Sequence, residues 1–190
     1  MRKKFGRFVL NLFGWKTTGN LPPDIKKCVV IVAPHTSNWY FFVGFFGYMT
    51  IGVRAKYLIK KEAFFFPLGL IVKALGGIPV DRSRSSNIVH QVGEMFSHQD
   101  ELVITITPEG TRSLVLHWKR GFYYIAEHAK VPIMLGILDY SKKVVGIGPA
   151  FYPTGNYEKD IKEIEAFYMD AIARHPEKFN LSPQNRPKQA

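Results

Sequence analysis

The sequence predicts a single α/β domain, with a mostly parallel central sheet flanked by helices and an N-terminal amphipathic helix. Three observations predict it. Short apolar runs of strand length alternate with longer stretches whose apolar residues recur at helical spacing, the pattern of βαβ units. A chain of 190 residues suffices for one domain with a sizeable core and is short for two. The apolar fraction of 46% marks a globular protein rather than a disordered one.

The elements follow in order. Residues 3–15 set Phe5, Phe8, Val9, Leu12 and Phe13 at helical spacing, with Arg2, Lys3, Lys4, Arg7 and Lys16 around them. Two readings fit that pattern: an interfacial membrane anchor, or a helix packed on the domain with a solvated basic face. Residues 1–20 are therefore read as a membrane-associating segment, 21–180 as the domain and 181–190, rich in polar residues and proline, as a flexible tail. Strands are expected over 28–33, 56–59, 78–80, 102–107, 133–138 and 144–147. Helices are expected over 38–49, 64–75, 86–96, 119–129 and 157–174. In the last of these, Ile161, Ile164, Tyr168 and Ile172 recur at helical spacing, and Pro176 is expected to mark its end.

Composition narrows the function. With 26 Lys and Arg against 15 Asp and Glu, the formal charge is +11, which implies an anionic partner such as nucleic acid, a membrane surface or a phosphorylated substrate. The sequence lacks zinc-ligand spacing, a Walker-type loop and a dinucleotide fingerprint, so neither a metal nor a cofactor is expected. One cysteine, Cys28, cannot form an internal disulfide and lies in an apolar strand pattern, as a small buried hydrophobe would. The uncharged run over residues 39–53 is shorter than the roughly 20 apolar residues of a spanning helix. The N-terminus is interrupted by Arg7, Asn11 and Lys16 and does not read as a secretory signal. The expected location is cytoplasmic, peripheral on the inner face of the membrane.

Polar groups that carry chemistry collect just after apolar strands, where ligands bind in open α/β sheets. The first group is His35-Thr36-Ser37-Asn38, and histidine is the side chain best suited to general-base work near neutral pH. Such a base usually works with a carboxylate that fixes its tautomer and stabilises its cation. The residues following His35 offer Trp39 and Tyr40, and no carboxylate before Glu62. The second group runs from Gly76 to Arg82. The third is Thr107-Pro108-Glu109-Gly110-Thr111-Arg112-Ser113, where a glycine allows close backbone approach and Arg112 offers a planar fork suited to phosphate. Taken singly, each has an ordinary structural explanation: a core histidine, a surface ion pair at Asp81-Arg82, a glycine turn. Their joint occurrence, each after a strand, points to a phosphate-bearing substrate beside a base.

At these residues the sequence resembles the glycerophospholipid acyltransferase family, lysophosphatidate acyltransferases among them. The family's first motif is a histidine followed, after four residues, by an aspartate. Its second, glycine-led and ending in arginine, is matched by Gly77 to Arg82. Its third, Phe-Pro-Glu-Gly-Thr-Arg-Ser, is matched from Pro108 to Ser113 with Thr107 replacing Phe, and its fourth by Val131-Pro132-Ile133. The resemblance implies acyl transfer from acyl-CoA or acyl carrier protein, as co-substrate, to a hydroxyl of a lysophospholipid such as lysophosphatidate. It implies His35 as general base, and Arg82, Glu109, Gly110, Thr111 and Arg112 in the acceptor-phosphate region. Lys119 is a looser addition just outside the motif. The aromatic residues of 39–49 and 64–66 would suit an acyl-chain tunnel, or ordinary core packing.

The sequence departs from the family where it has aspartate: here stands Tyr40. A phenol stays neutral at pH 7 and cannot balance an imidazolium. In serine proteases, neutralising the orienting aspartate lowers kcat about 10⁴-fold. The expectation is therefore slow turnover, or a different carboxylate, Glu109 or Asp81, supplying the charge. A catalytically silent lipid-binding protein on the same scaffold is the alternative. A nucleic-acid-binding module would also answer the charge, but the aromatic residues lie in apolar runs rather than among basic ones, so no nucleic-acid partner is expected.

Overall fold

A computed structural model describes residues 1–81, 85–182 and 185, with the backbone alone at 85–87. Seven strands form one sheet: β1 (Lys16–Thr18), β2 (Lys27–Val32), β3 (Ala55–Lys60), β4 (Gly77–Val80), β5 (Leu102–Ile106), β6 (Ile133–Asp139) and β7 (Val144–Phe151). Their order is β1-β7-β6-β2-β5-β3-β4. All neighbouring pairs are parallel except β6 and β7, which pair antiparallel across a short connection. The expected class is thus the observed one. Helices α1 (Arg2–Leu12), α2 (Trp39–Ile51), α3 (Leu68–Ala74), α4 (Ser85–Ser97), α5 (Gly121–Ala129) and α6 (Tyr157–Ala166) complete it.

The central strand β2 shows why the sheet is covered on both faces. Successive side chains of a strand point to opposite faces. Val29 and Ile31 join Ile104, Ile133 and residues of α4, α5 and α6 in one core cluster. Cys28 and Val30 join Met134, Ile147 and Tyr48 of α2 in another. Cys28 is fully buried, and that burial pushes its thiol up to about 12.

Helix α1 packs on the domain by one face and exposes the other. Gly6 and Leu10 are buried, and a Cβ at Gly6 would come within 2.8 Å of Thr50 Oγ1, so α1 lies tightly on α2. The bulky residues do not follow: Phe8 and Leu12 are 65% and 70% exposed, and Phe5 and Phe13 are also outside. The helix docks by Gly6 and Leu10 and leaves Phe5, Phe8 and Leu12 in solvent. Among the described residues, no helix is long and apolar enough to cross a membrane.

Several boundaries differ from expectation. The helix expected over 64–75 starts only at Leu68, because Pro67 holds the position before it and the three phenylalanines 64–66 lie outside. The helix expected over 157–174 stops at Ala166 and gives way to turns, with Tyr168 N–H donating to Glu165 and Met169 N–H to Ala166. Tertiary contacts win there: the Tyr168 hydroxyl donates to the Ile31 carbonyl at 3.0 Å, and Tyr140 N–H donates to Ile172 O. Pro176 consequently opens a short 3₁₀ turn instead of ending a helix. Strand β1 went unforeseen; its Lys-Thr-Thr carries no apolar signal and gains its place by pairing with β7. Of residues 181–190, Leu181 is buried in the core and Asn185 Nδ2 donates to Lys162 O; 183, 184 and 186–190 lie outside the described residues.

Candidate active site

Strands β2, β5 and β4 run parallel, so their C-terminal ends open on one edge of the sheet. His35 follows β2, Asp81 follows β4, and the segment 107–113 follows β5 directly beside β2. A cleft of about 1420 Å³ opens there. His35, Asn38, Thr111, Arg112 and Lys119 contribute its polar lining; Phe41, Gly44, Tyr48, Tyr57 and Leu58 contribute apolar lining.

His35 stands just ahead of the first turn of α2. Burial, and secondarily the nearby Arg112 charge, lowers its pKa to about 4, so at neutral pH it is an uncharged imidazole with a free lone pair. Its Nδ1 is buried and, among the described residues, has no hydrogen-bond partner.

Tyr40 sits at the position of the motif aspartate but does different work. Its hydroxyl accepts the Arg174 backbone N–H at 2.9 Å and lies 3.4 Å from Thr36 Oγ1. Its ring packs against Tyr140 at 5.1 Å and His35 at 5.7 Å between centroids. Burial raises its pKa further above 10, so it stays neutral. His175 N–H donates to Thr36 Oγ1 beside it. The tyrosine ties the chain at 174–175 to the start of α2.

Glu109 is turned inward. It is 2% exposed, and its Oε2 accepts the His35 backbone N–H at 2.9 Å, while Oε1 has no partner among the described residues. Burial pushes the carboxyl up to about 8, against the opposing effect of the His35 N–H. The next residue, Gly110, adopts a left-handed φ of +68°, and a Cβ there would lie 2.8 Å from Lys119 Cδ. That close approach lays the Lys119 side chain over the loop, and Lys119 N–H donates to Pro108 O at 2.8 Å.

Arg112 is exposed on the cleft and donates through Nη1 to Asn38 Oδ1 at 2.6 Å, bridging the β5 loop to the start of α2. Thr111 Oγ1 accepts the Ser113 N–H at 3.3 Å. Asp81 pairs with Lys61 at 2.5 Å on the surface. Arg82 lies outside the described residues. The structure thus brings His35, Glu109, Gly110, Thr111, Arg112 and Lys119 together. It adds two residues that sequence reasoning did not single out as site residues: Asn38, the partner of Arg112, and Trp118. The indole Nε1 of Trp118 is buried at the cleft without a partner among the described residues. The position of Trp118 one residue before Lys119 carried no signal of this. Among the described residues, no group of three or more His, Cys, Asp or Glu could hold a metal.

Fold and site together define a class: a mostly parallel α/β domain whose strand ends hold a neutral histidine over a cleft with cationic and apolar lining. The chain belongs to the Acyltransferase family, whose model matches residues 16–134. It is 27% identical over 148 residues to the human 1-acyl-sn-glycerol-3-phosphate acyltransferase beta, covering 74% of this chain. The chain spans about half, 51%, of that relative's length. Among solved structures, it shares its fold with the 1-acyl-sn-glycerophosphate (LPA) acyltransferase PlsC from Thermotoga maritima. The TM-score is 0.60 at 20% identity, over 87% of this chain and 74% of that one.

Proposed function

We propose that the protein transfers a fatty acyl group from a thioester, acyl-CoA or acyl carrier protein, to a free hydroxyl of a lysophospholipid such as lysophosphatidate. The observation that carries the reading is the neutral His35 on a cleft that also presents Arg112 and Lys119 and an apolar lining. His35 Nε2 takes the hydroxyl proton as that oxygen attacks the thioester carbonyl. The new C–O bond forms, the C–S bond breaks, and the leaving thiolate receives the proton back from Nε2. Arg112, with Arg82 and Lys119, binds the acceptor phosphate, for which a guanidinium fork is well shaped. The names of the two relatives, both acting on acylglycerol phosphates, support this acceptor.

The exposed aromatic surface of α1 continues through Phe13, just past its end, onto α2: Phe13 meets Trp39 at 6.4 Å and Trp39 meets Phe42 at 5.8 Å between ring centroids. With Arg2, Lys3, Lys4 and Arg7 on the same helix, this surface suits docking on an anionic membrane, from which a lipid acceptor enters the cleft. A silent lipid-binding protein is the second reading, favoured by the engagement of Tyr40 with Arg174 in place of a dyad carboxylate. Incubating the purified protein with acyl-CoA and lysophosphatidate separates the two. Thiol release matched by diacylated product supports the enzyme; saturable lipid binding without product supports the silent scaffold.

A further inference from the structure

We infer that Glu109 is the carboxylate partner of His35, taking over the role of the residue that Tyr40 replaces; the inference rests on the acyltransferase reading above. Four observations carry it. The Glu109 carboxyl is already fastened to this histidine, through Oε2 on the His35 N–H at 2.9 Å. Among the described residues, Glu109 Oε1 and His35 Nδ1 are both buried and both without a partner. A buried polar atom left unpaired is costly, and the two are complementary as acceptor and donor. Tyr40 is committed to Arg174 and Thr36, and Asp81 to Lys61, so neither serves His35.

The terminal torsion of a glutamate is broad, and adjusting it together with the torsions before it brings Oε1 toward Nδ1 while Oε2 stays near the His35 N–H. Oε1 then accepts Nδ1–H, which holds the Nε2 lone pair toward the cleft. When Nε2 takes the hydroxyl proton, the imidazolium forms beside a carboxylate. The proton leaves from Nε2 to the thiolate, so Glu109 ends each cycle as it began. The pairing requires the ionised carboxylate, and the charged or titratable groups around the pair are Arg112, whose charge acts on His35, Lys119 over Gly110, and Tyr40 from α2. Burial pushes Tyr40 above its ordinary value, so an activity limb near pH 8 is assigned to Glu109. Glu109 is a positioning residue, since it acts through His35.

The test compares wild type, Glu109→Gln and Glu109→Asp in two ways. Nitrogen-15 NMR on histidine-labelled protein without substrate reads the His35 tautomer and its response to pH. Thiol release from acyl-CoA with lysophosphatidate, from pH 6 to 10, reads kcat/KM. In wild type we expect the Nδ1–H tautomer, a His35 resonance shift near pH 8 and activity rising through the same pH. In the Gln variant we expect both changes near pH 8 to vanish and activity to fall roughly 10²- to 10⁴-fold; the Asp variant keeps the limb with partial activity. A Gln variant that retains the limb, even at reduced rate, shows a merely structural role and overturns the inference. Wild type without acyl transfer overturns the enzyme reading instead, and the NMR arm still decides whether the two residues pair.

Discussion

The Tyr40 hydroxyl accepts the backbone N–H of Arg174 across 134 residues of sequence. The position that holds aspartate in the family motif has become a tie between the start of α2 and the segment after α6. Tyr40→Phe keeps the ring and removes the acceptor, so it should cost about 1 kcal/mol and lower Tm by roughly 2–4 °C. Tyr40→Asp empties space in a packed cluster with Leu10, Trp15 and Val43 as well, and should cost about 3–5 kcal/mol. Thermal unfolding monitored by circular dichroism checks both; equal Tm values for wild type and Tyr40→Asp would contradict the tie.

Gly44 lines the cleft, and a Cβ added there meets nothing within 4 Å. Gly44→Leu should therefore fold normally and project into the apolar part of the cleft. Long-chain acyl-CoA should lose kcat/KM about tenfold or more relative to short-chain acyl-CoA, the scale of a few methylenes in an apolar pocket. A chain-length series of thioesters measures it, and an unchanged profile would place the acyl chain elsewhere.

Arg112 reaches the cleft while bonded to Asn38. Arg112→Ala should raise KM for a phosphate-bearing acceptor by roughly 10- to 100-fold, as expected for a lost charge-assisted hydrogen bond. Arg112→Lys should recover little, because an ammonium cannot reproduce the planar fork. Steady-state kinetics with lysophosphatidate and with an uncharged monoacylglycerol checks this; only the phosphate-bearing acceptor should suffer.

Deleting α1 is a poor test of membrane docking, because Leu10 is buried in the domain and Gly6 lies tightly against α2. The paired substitution Phe8→Asp with Phe13→Asp alters exposed side chains instead, so Tm should hold while binding to anionic vesicles falls severalfold or more. Flotation with phosphatidylglycerol vesicles reads it, and undiminished flotation would remove α1 from the docking surface.

Much of the architecture was legible because buried parallel strands are short apolar runs, and the Cys28 to Val32 stretch shows it plainly. What escaped notice was set by contacts distant in sequence. Strand β1 exists through its pairing with β7, and α6 stops early because Tyr168 and Ile172 bond to β2 and to Tyr140. Asp160 was equally silent: buried, it accepts from Tyr123 Oη at 2.8 Å and from Thr154 N–H and Oγ1 at 2.7 Å. At the site, motif spacing pointed to His35, Glu109 and Arg112, with Lys119 a looser addition just outside the motif, and His35, Arg112 and Lys119 line one cleft. It could not show that Glu109 turns inward to the His35 backbone, since that depends on how the loop after β5 folds back beside β2.

The most direct measurement is kcat/KM for acyl-CoA and lysophosphatidate in wild type and His35→Ala. Alanine leaves the backbone N–H on Glu109 in place, so the loop keeps that anchor. With His35 as the base, kcat/KM should fall roughly 10²- to 10⁴-fold with Tm close to wild type. A His35→Ala enzyme as active as wild type would contradict the account.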